Sequence, residues 1–401
     1  MKTFAKGIGI GLALGMVLVL AWFLWNTNLP KSTPGQTPPP PKEAQEPSDE
    51  QNSPKTPPLE ELSSEEKELP TNPDTEQTPI PDNEQTSDSS EAVLAFAGDV
   101  MFSEQSVAAY DKNGVLALAD ADMLSLMQEA DLFMINEEFP FSLRGEAMED
   151  KQYTFRTDPK YVSIFQELEV DLVTVANNHA LDFGRDAFCD TLDTLKDADI
   201  TCVGGGYNFT EASAPAVSTV HGQSFAIFAA TRVSPSYDWY ATDSQPGLFQ
   251  TYDPARLNAA IAEADALYDH VIVFVHWGIE RNETPEDYQR SLARGYIDAG
   301  ADLIVGCHPH VLQGFEYYKS VPILYSLGNY LFGNRSDDTL LLLAVFSEDG
   351  SLAVRLHPCR RENGVLTSIQ DPGSLYQHLT DLSFDVQVSP EGLLVPPDPS
   401  E

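Results

Sequence analysis

Basic residues are scarce in this sequence. Its 401 residues include 23 Lys and Arg against 62 Asp and Glu, which gives a formal net charge of −39. Binding to DNA, RNA or anionic lipid requires Lys and Arg to displace counterions, so the composition argues against a nucleic-acid partner. Cysteine is also scarce, and four cysteines in so long a chain exclude a disulfide-dense mini-scaffold. The hydrophobic content of 42% is nevertheless sufficient for a large core.

Residues 1–29 are predicted to form a cytoplasmic stub and a membrane anchor. An apolar run extends from Gly7 to Trp25, and its length of about 18–20 residues suits a bilayer span. Lys2 and Lys6 precede the run, so the positive-inside rule places the rest of the chain outside the cell membrane. The alternative is a cleaved secretion signal, although no small-x-small cleavage site follows the run. Both interpretations make the bulk of the chain extracytoplasmic.

Two further segments are predicted to be disordered. Residues 30–91 consist largely of Pro, Glu, Ser, Thr and Gln, and they cannot bury enough apolar surface to offset the entropy of ordering. We interpret them as a linker, the alternative being an acidic ligand-binding tail. Residues 389–401 form a shorter, acidic and Pro-rich tail. The sequence between them, residues 92–388, is predicted to be one folded domain.

Within this domain, short apolar runs alternate with amphipathic stretches. The apolar runs are Val93–Ala97, Leu132–Ile135, Leu172–Ala176, Phe225–Ala229, Val271–Val275, Leu303–Val305, Ile323–Tyr325 and Leu340–Phe346, and the amphipathic stretches are Met123–Ala130, Tyr161–Leu168, Ala187–Leu195, Leu257–Leu267 and Tyr288–Ile297. Buried strands that alternate with helices predict an α/β fold. The last third is richer in strand, which predicts a second, partly antiparallel sheet.

Six of the apolar runs end in polar residues that can bind metal ions. The polar clusters are Gly98-Asp99, Asn136-Glu137-Glu138, Asn177-Asn178-His179-Ala180-Leu181-Asp182, His276-Trp277-Gly278-Ile279-Glu280, Gly306-Cys307-His308-Pro309-His310 and Ser326-Leu327-Gly328-Asn329. Because the carboxyl ends of parallel strands share one edge of a sheet, we expect these clusters to meet in space. Each cluster alone is weak evidence, since a histidine at a strand end is more often structural than a ligand.

The residue types in these clusters are chemically compatible. Carboxylates, imidazoles and an Asn carbonyl suit Zn, Mn or Fe better than Mg or Ca. His308 and His310, two residues apart, are expected on one side of an extended segment. Either Glu137 or Glu138 could point inward, and we favour Glu138. Cys307 is either a soft ligand or, more commonly for such a residue, a small buried apolar side chain.

The clusters occur in the order seen in the CapA-type proteins, the poly-γ-glutamate capsule synthesis proteins of bacteria, and the sequence resembles that family over about residues 92–346. The motifs that carry the resemblance are Gly98-Asp99-Val100-Met101-Phe102, Asn136-Glu137-Glu138-Phe139-Pro140, Phe155-Arg156-Thr157-Asp158-Pro159, Ala176–Gly184, His276–Glu280, Gly306–Gly314 and Ser326–Tyr330. That family is similar in turn to the calcineurin-like metallophosphoesterases. The resemblance implies a four-layer αββα sandwich of two mixed sheets, preceded here by the single transmembrane helix.

The resemblance also implies roles for individual residues. It implies that one or two ions of Mn, Zn or Fe are held by Asp99, Glu138, Asn178, His276, His308 and His310. It also implies a catalytic His179 that is oriented by Asp182. Substrate binding or contact with the ligands is implied for Glu137, Arg156, Glu280 and Asn329. The sequence departs from the superfamily at Met101, where the first motif has a histidine, and at Glu138, where an aspartate is usual.

Three functions are compatible with these features. The first is an accessory protein of poly-γ-glutamate synthesis or export, which would have the membrane subunits of the synthase as partners. The second is a metal-dependent hydrolase of phosphoesters or amide-linked cell-envelope polymers, and the third is a metal-stabilised binding module without turnover. The large negative charge makes cations a condition for binding a polyanion in the first case.

Overall fold

The computed structural model describes residues 91–333 and 336–397. The strands are β1 (Ala92–Met101), β2 (Leu132–Glu137), β3 (Leu172–Thr174), β4 (Thr201–Val203), β5 (Gly205–Gly206), β6 (Ala216–Val220), β7 (Gln223–Thr231), β8 (Gly247–Leu248), β9 (His270–His276), β10 (Leu303–Cys307), β11 (Phe315–Tyr318), β12 (Val321–Leu324), β13 (Asn329–Phe332), β14 (Asp338–Phe346), β15 (Leu352–Glu362), β16 (Val365–Ser368), β17 (Gln387–Val388) and β18 (Leu394–Val395). The helices are α1 (Glu104–Asn113), α2 (Ala121–Gln128), α3 (Val162–Glu167), α4 (Arg185–Asp197), α5 (Phe209–Ala212), α6 (Ala255–Asp265), α7 (Asp287–Asp298) and α8 (Gly373–Leu382), with 3-10 turns at Val115–Ala117, Pro159–Tyr161 and Tyr237–Trp239.

The α/β prediction is confirmed, and most of the strands form two mixed sheets, while β5 with β8 and β17 with β18 form two-stranded sheets. The first mixed sheet has the order β16-β15-β14-β1-β2-β3-β4, with β13 also paired to β1, and the second has the order β11-β12-β10-β9-β7-β6. Strands β1 to β4 are mutually parallel, as are β7, β9, β10 and β12. Each mixed sheet therefore has a parallel part whose strands end at a common edge.

Alternation along the strands divides the apolar side chains into three core clusters. In β1, Leu94 and Phe96 pack in the cluster shared by the two sheets, whereas Ala95 and Ala97 join the cluster that contains helices α2, α3 and α4. The outer face of the second sheet packs against α6 and α7. The layers run helix, sheet, sheet, helix, because both faces of each central strand are apolar and both must be covered.

The second sheet is partly antiparallel, as predicted, because β11 pairs antiparallel with β12 and β6 with β7. The later strands β14, β15 and β16 do not extend it. Strand β14 pairs antiparallel with β1, from Ala92↔Phe346 to Ala97↔Leu341, and β15 and β16 continue the first sheet. The reason is that β14 is apolar on both faces, with Leu342 between the sheets and Leu341 on the helical side, so it is suited to a central position.

The predicted anchor and linker lie outside the described residues. Within residues 91–333 and 336–397, no helix combines the length and hydrophobicity that a bilayer span requires. The predicted tail is structured at its start, since β18 pairs with β17 and Leu394 is buried. The last residues, 398–401, again lie outside the described part.

Candidate metal centre

The six predicted polar clusters converge at the carboxyl ends of the central strands. Three of the clusters lie at or just after the ends of β1, β2 and β3 in the first sheet. The other three lie at or just after the ends of β9, β10 and β12 in the second sheet. The two sheets face each other, so the site lies at the shared edge of the sandwich rather than at the edge of one sheet. The converging side chains are Asp99, Asn136, Glu138, Asn178, His179, His276, His308, His310 and Asn329, all of which are buried.

Asp99 reaches this edge through an irregularity in β1. The register between β1 and β2 shifts between Phe96 and Asp99, so that Phe96 pairs with Met134 and Asp99 pairs with Asn136. Phe96 faces the second sheet, and strict alternation would turn Asp99 to the opposite face. One extra residue in β1 restores Asp99 to the side of Asn136, which is the usual effect of a β-bulge.

Asp99 is held by hydrogen bonds from three directions. Its Oδ1 accepts from Nδ2 of Asn136 at 2.8 Å, and its Oδ2 accepts from the backbone N–H of His308 at 3.2 Å. Nδ1 of His310 lies 3.3 Å from the same Oδ2. Although burial raises the pKa of Asp99, the hydrogen bonds and positive charge of His310 outweigh it and hold this pKa below its usual value. Asp99 is therefore ionised at neutral pH.

Glu138 provides an oxygen at the centre of the cluster. Its Oε1 lies 3.8 Å from Nε2 of His310, 3.9 Å from Nε2 of His276 and 4.0 Å from Nε2 of His179, and it has no hydrogen-bond partner. Oε2 accepts from Nδ2 of Asn136 at 3.3 Å. Burial, followed by the negative charge of Asp99, raises the pKa of Glu138 well above its usual value. Three imidazole nitrogens thus surround one unpaired carboxylate oxygen.

His276 and His308 complete the opposite side of the cluster. Nε2 of His276 lies 2.8 Å from Oδ1 of Asn178, and Nδ1 of the same ring lies 3.2 Å from Sγ of Cys307. Nδ1 of His308 is buried without a hydrogen-bond partner. Burial and the charge of His310 lower the pKa of His308 to about 3, and burial lowers that of His276 well below its usual value. Both rings are neutral at pH 7, the form in which imidazole binds metal.

The backbone of the His308-Pro309-His310 segment differs from the extended form expected from the sequence. His308 has φ +98° and His310 has φ +56°, both in the left-handed region. The chain turns here because it leaves β10 and passes across the sheet edge, and its rings converge by that turn rather than by strand alternation. The ring centroids of the two histidines are 5.8 Å apart.

His179 lies beside the cluster and contacts Asp182, which was predicted to orient it, together with Phe155 and Lys151, which were not. Oδ2 of Asp182 lies 2.7 Å from Nδ1 of His179, and the Phe155 ring stacks on the imidazole at a centroid distance of 4.2 Å. Lys151 donates to the backbone oxygen of Asn178 at 2.5 Å and forms an ion pair with Asp182. Burial lowers the pKa of His179 to about 4, so its imidazole is neutral at pH 7.

Several functional side chains were missed in the sequence. Lys151 lies in a segment without secondary structure, and nothing in its sequence neighbours indicates that its ammonium is 3.0 Å from Nδ1 of His179. Asn136 was within a predicted cluster but had no assigned role, although it orients both carboxylates. Asn177 donates to Oδ1 of Asn136 at 3.1 Å. Cys307, interpreted mainly as apolar, contacts a ring nitrogen of His276.

The four remaining predicted residues are placed in different ways. Oδ1 of Asn329 lies 2.8 Å from Nδ1 of His310, and Glu280 is near enough for its charge to raise the pKa of Glu138. Glu137 contributes its backbone oxygen to Asn177 at 2.7 Å, while its buried carboxylate has no partner and alternates away from Glu138 along the chain. Arg156 is exposed, with its guanidinium over the Phe183 ring.

The donor set fits a divalent transition metal. Ligand atoms of Glu138, His308 and His310 lie within 4.8 Å of one another, and so do those of Asp99, His276 and Cys307. Glu138 Oε1 and His308 Nδ1 are buried and unpaired, which is costly unless a partner such as an ion satisfies them. Carboxylate, imidazole and amide donors together suit Mn, Fe or Zn.

The sequence is similar to known bacterial capsule proteins. Residues 93–334, more than half of the chain, match the family described as "Bacterial capsule synthesis protein PGA_cap". The chain is 31% identical over 262 residues to the PGA biosynthesis protein CapA of Bacillus subtilis (strain 168), covering 64% of this chain and 68% of that protein. It is 32% identical over 267 residues to the capsule biosynthesis protein CapA of Bacillus anthracis, covering 63% of this chain and 64% of that protein.

The similarity of this chain to solved structures is weaker than its similarity to these capsule proteins. A hypothetical protein from Thermus thermophilus has a TM-score of 0.40 at 15% identity and covers 67% of this chain and 99% of its own. The sulfate thiohydrolase SoxB of Thermus thermophilus, solved in complex with glycerol, has a TM-score of 0.41 at 13% identity and covers 72% of this chain and 60% of its own.

Proposed function

We propose that this chain, which belongs to the bacterial capsule synthesis protein family PGA_cap, acts in the synthesis or export of a poly-γ-glutamate capsule. The names of its relatives from Bacillus subtilis and Bacillus anthracis support this role. The observation that carries the proposal is that the matched residues, 93–334, contain every side chain of the candidate metal centre. The site therefore lies within the part of the chain that matches the family.

The chain's own residues would hold a divalent ion in a defined way. Nε2 of His276 lies beside Oδ1 of Asn178 and Oε1 of Glu138, and ligand atoms of His308 and His310 lie within 4.8 Å of Glu138, with Asp99 next to His310. A bound ion of this kind supplies Lewis-acid polarisation of a phosphoryl or carbonyl oxygen. The layered αββα arrangement and this donor set support a metallophosphoesterase-like domain.

Asp182 and Lys151 would prepare His179 for proton transfer. A carboxylate only accepts hydrogen bonds, so Asp182 favours the tautomer of His179 with a proton on Nδ1. Nε2 is then an unprotonated acceptor 4.0 Å from Glu138 Oε1. Lys151 places a positive charge near Glu138, where it opposes the rise in the pKa of that carboxyl.

The remaining elements of the proposal concern location and partners. We place the domain outside the cell membrane, attached through the apolar segment that ends at Trp25, with the membrane subunits of a poly-γ-glutamate synthase or exporter as partners. The composition supports this arrangement through the Lys residues that precede the apolar run.

Deletion of the gene in its own organism tests the proposed function. We expect loss of a surface polymer that yields glutamate alone on acid hydrolysis, with recovery on expression of the full chain. Expression of the Glu138→Gln variant should not restore the polymer, because the central oxygen is lost, whereas His357→Gln, remote from the centre, should. A deletion strain with unchanged polymer would refute the role in capsule synthesis.

A metal-dependent hydrolase is a second candidate, favoured by the His179–Asp182 pair at 2.7 Å. A binding module without turnover has no need of a neutral, oriented imidazole beside the metal ligands. Assay of the Mn-loaded full chain against aryl phosphoesters and γ-glutamyl peptides separates the two functions. Turnover that His179→Asn abolishes, with metal content unchanged, supports the hydrolase; no turnover on either class leaves the binding module as the better description.

A further inference from the structure

One arginine at the edge of the candidate metal centre is held between aromatic rings. Arg232 follows the last residue of β7, and its backbone N–H donates to the oxygen of His276 at 2.8 Å. Its guanidinium carbon lies 3.6 Å from the ring centroid of Tyr252 and 5.1 Å from that of Tyr288. These are cation–π distances, so the side chain is fixed in place.

Tyr252 and Tyr288 form a cradle for Arg232, and this cradle is connected to the metal centre through the backbone. The hydroxyl of Tyr288 accepts from the N–H of Gly278 at 2.7 Å, two residues after His276. Gly278 packs so closely on Pro309 that an added Cβ would lie 2.9 Å from Cγ of that proline. Pro309 separates His308 and His310. Arg232 thus lies on the same sheet edge as the metal centre.

The guanidinium N–H groups of Arg232 have no acceptor among the described residues. Within residues 91–333 and 336–397, no carboxylate forms an ion pair with its guanidinium, although acids outnumber bases almost three to one in the chain. By contrast, Arg144, Arg290 and Arg294 are all paired with carboxylates. Stacking occupies the faces of a guanidinium and leaves its edge free to bind an oxyanion with two parallel hydrogen bonds.

A patch of further tyrosines extends from the cradle. The rings of Tyr237, Tyr240 and Tyr252 lie 5.8 to 6.2 Å from one another, and Tyr237 is 51% exposed. Aromatic surface of this kind can pack against methylene groups while a neighbouring cation binds a charged group. A chain of γ-linked glutamate carries both, since each unit has two methylenes and one free carboxylate.

We propose that Arg232, cradled by Tyr252 and Tyr288, is a binding subsite for a carboxylate of the anionic polymer. This inference rests on the proposed function, because the family assignment selects a carboxylate among oxyanions. It also explains how a chain with an overall charge of −39 could bind a polyanion. A polyanion that is repelled by most of the surface would be accepted where a positive charge, without a carboxylate partner among the described residues, lies on the same sheet edge as the candidate cation site.

Binding of a fluorescently labelled γ-linked oligoglutamate of defined length to the full chain tests the inference, by anisotropy at low ionic strength with Mn²⁺ present. We expect Arg232→Gln to weaken binding about tenfold, the effect of losing one charge-assisted contact. Arg355→Gln is the matched control, since Arg355 is exposed on β15 and also forms no ion pair within the described ranges. Equal weakening by both variants would overturn the inference in favour of long-range charge.

Three further binding measurements identify the group that Arg232 binds and test whether the contact is bidentate. An oligomer with its α-carboxylates amidated should bind the wild-type chain and Arg232→Gln equally. Arg232→Lys should remain weaker than the wild type, and full affinity in that variant would overturn the bidentate contact. Tighter, Arg232-dependent binding of a glycerol-phosphate oligomer of equal charge would assign the subsite to phosphate and overturn the carboxylate.

The two proposals fail in distinguishable ways. If the wild-type chain does not bind the oligoglutamate, the subsite is refuted whatever the deletion phenotype is. If Arg232-dependent binding is present but deletion of the gene leaves the surface polymer unchanged, the role in capsule synthesis is refuted while the subsite stands. Circular dichroism of each variant excludes misfolding as the cause of lost binding.

Discussion

Sγ of Cys307 lies 3.2 Å from Nδ1 of His276. The other nitrogen of that ring, Nε2, lies 2.8 Å from Oδ1 of Asn178 within the donor cluster. Cys307 therefore contacts the ring nitrogen that is not beside Asn178. A hydrogen-bond partner at this position fixes the orientation of a metal-binding histidine and its tautomer.

Replacement of Cys307, which is both a partner of His276 and a candidate donor, should weaken metal binding. We expect Cys307→Ala to lower Mn²⁺ affinity about tenfold, the lower end of the effect of such partners, measured by equilibrium dialysis. Cys359→Ala is the matched control, because Cys359 is equally buried but contacts the backbone oxygen of His357 instead. Identical affinities for the two variants would contradict a role for Cys307 in orienting His276.

Replacement of Asp99 or His308 should reduce metal binding more than replacement of Cys307 does. Asp99→Asn and His308→Ala each remove a charge or nitrogen that no neighbouring side chain can replace, so both variants should lose the metal that co-purifies with the wild type. Elemental analysis after purification without chelators provides the measurement. His357→Ala, whose Nε2 contacts Ser368 at 2.8 Å on β15 and β16, should keep its metal. A wild-type chain that carries no transition metal would refute the centre.

Metal affinity should fall as the pH decreases from about 8 to 6. Burial and the charge of Asp99 raise the pKa of Glu138, and the hydrogen bond and charge of Asp99 outweigh burial and raise that of His310. As the pH falls, a larger fraction of these two groups carries the proton that a metal must displace. His276 and His308 have lowered pKa values and contribute little in this range. Dialysis at several pH values checks this, and an affinity that is independent of pH would contradict it.

Gly98 should tolerate no side chain. A Cβ at this position would lie 1.9 Å from the backbone oxygen of Gly328, which also accepts the N–H of Asp99 at 3.0 Å. Gly98→Ala should cost about 3 kcal/mol in the free energy of unfolding, as severe overpacking does, and should displace Asp99. Urea denaturation and metal analysis measure the two effects.

Gly295 provides the matched control for Gly98. It lies within α7, and an added Cβ would be no nearer than 3.8 Å to another side chain. Gly295→Ala should leave metal binding unchanged and raise the free energy of unfolding by roughly 0.5–1 kcal/mol, because alanine loses less entropy in a helix. Destabilisation of equal size in both variants would show that the contact with Gly328 is not the cause.

Glu316 should stabilise the fold in a pH-dependent way. It is buried and accepts from Arg290 Nε and Arg294 Nε at 2.9 Å and from the Tyr325 hydroxyl at 2.8 Å. Burial raises its pKa, but these three donors outweigh burial and the pKa is lowered. Glu316→Gln should therefore cost about 2 kcal/mol at pH 7, a typical value for charge-assisted hydrogen bonds.

The sign of this pH dependence follows from the lowered pKa. The folded state holds the ionised carboxylate more strongly than the unfolded state does, so the stabilisation is present above the unfolded pKa and is lost as the pH falls through the folded value. The difference between Glu316→Gln and the wild type should thus shrink below about pH 4. Asp298→Asn, which breaks an exposed pair with Lys319, should have little effect at any pH.

Much of the architecture could be predicted because it depends on local pattern. All eight apolar runs overlap strands, and all five amphipathic stretches overlap helices, since burial of both faces requires continuous apolar residues and a helix buries one stripe. Helix α1 was not predicted because its apolar residues do not form a clear stripe. Placement of β14 in the first sheet was also missed, because pairing between strands distant in sequence leaves no local signal.

The sequence by itself determined the chemistry of the candidate centre: carboxylates, imidazoles and an amide after successive buried strands, on an α/β scaffold whose strand ends meet. Tertiary structure alone decided which atoms meet there. A β-bulge turns Asp99 inward, alternation selects Glu138 over Glu137, and a turn rather than an extended strand brings His308 and His310 together. Lys151, Cys307 and Arg232 acquire their positions from contacts with residues far along the chain. Composition specifies what a side chain can bind, but only packing fixes which donors face one another and which charges remain unpaired.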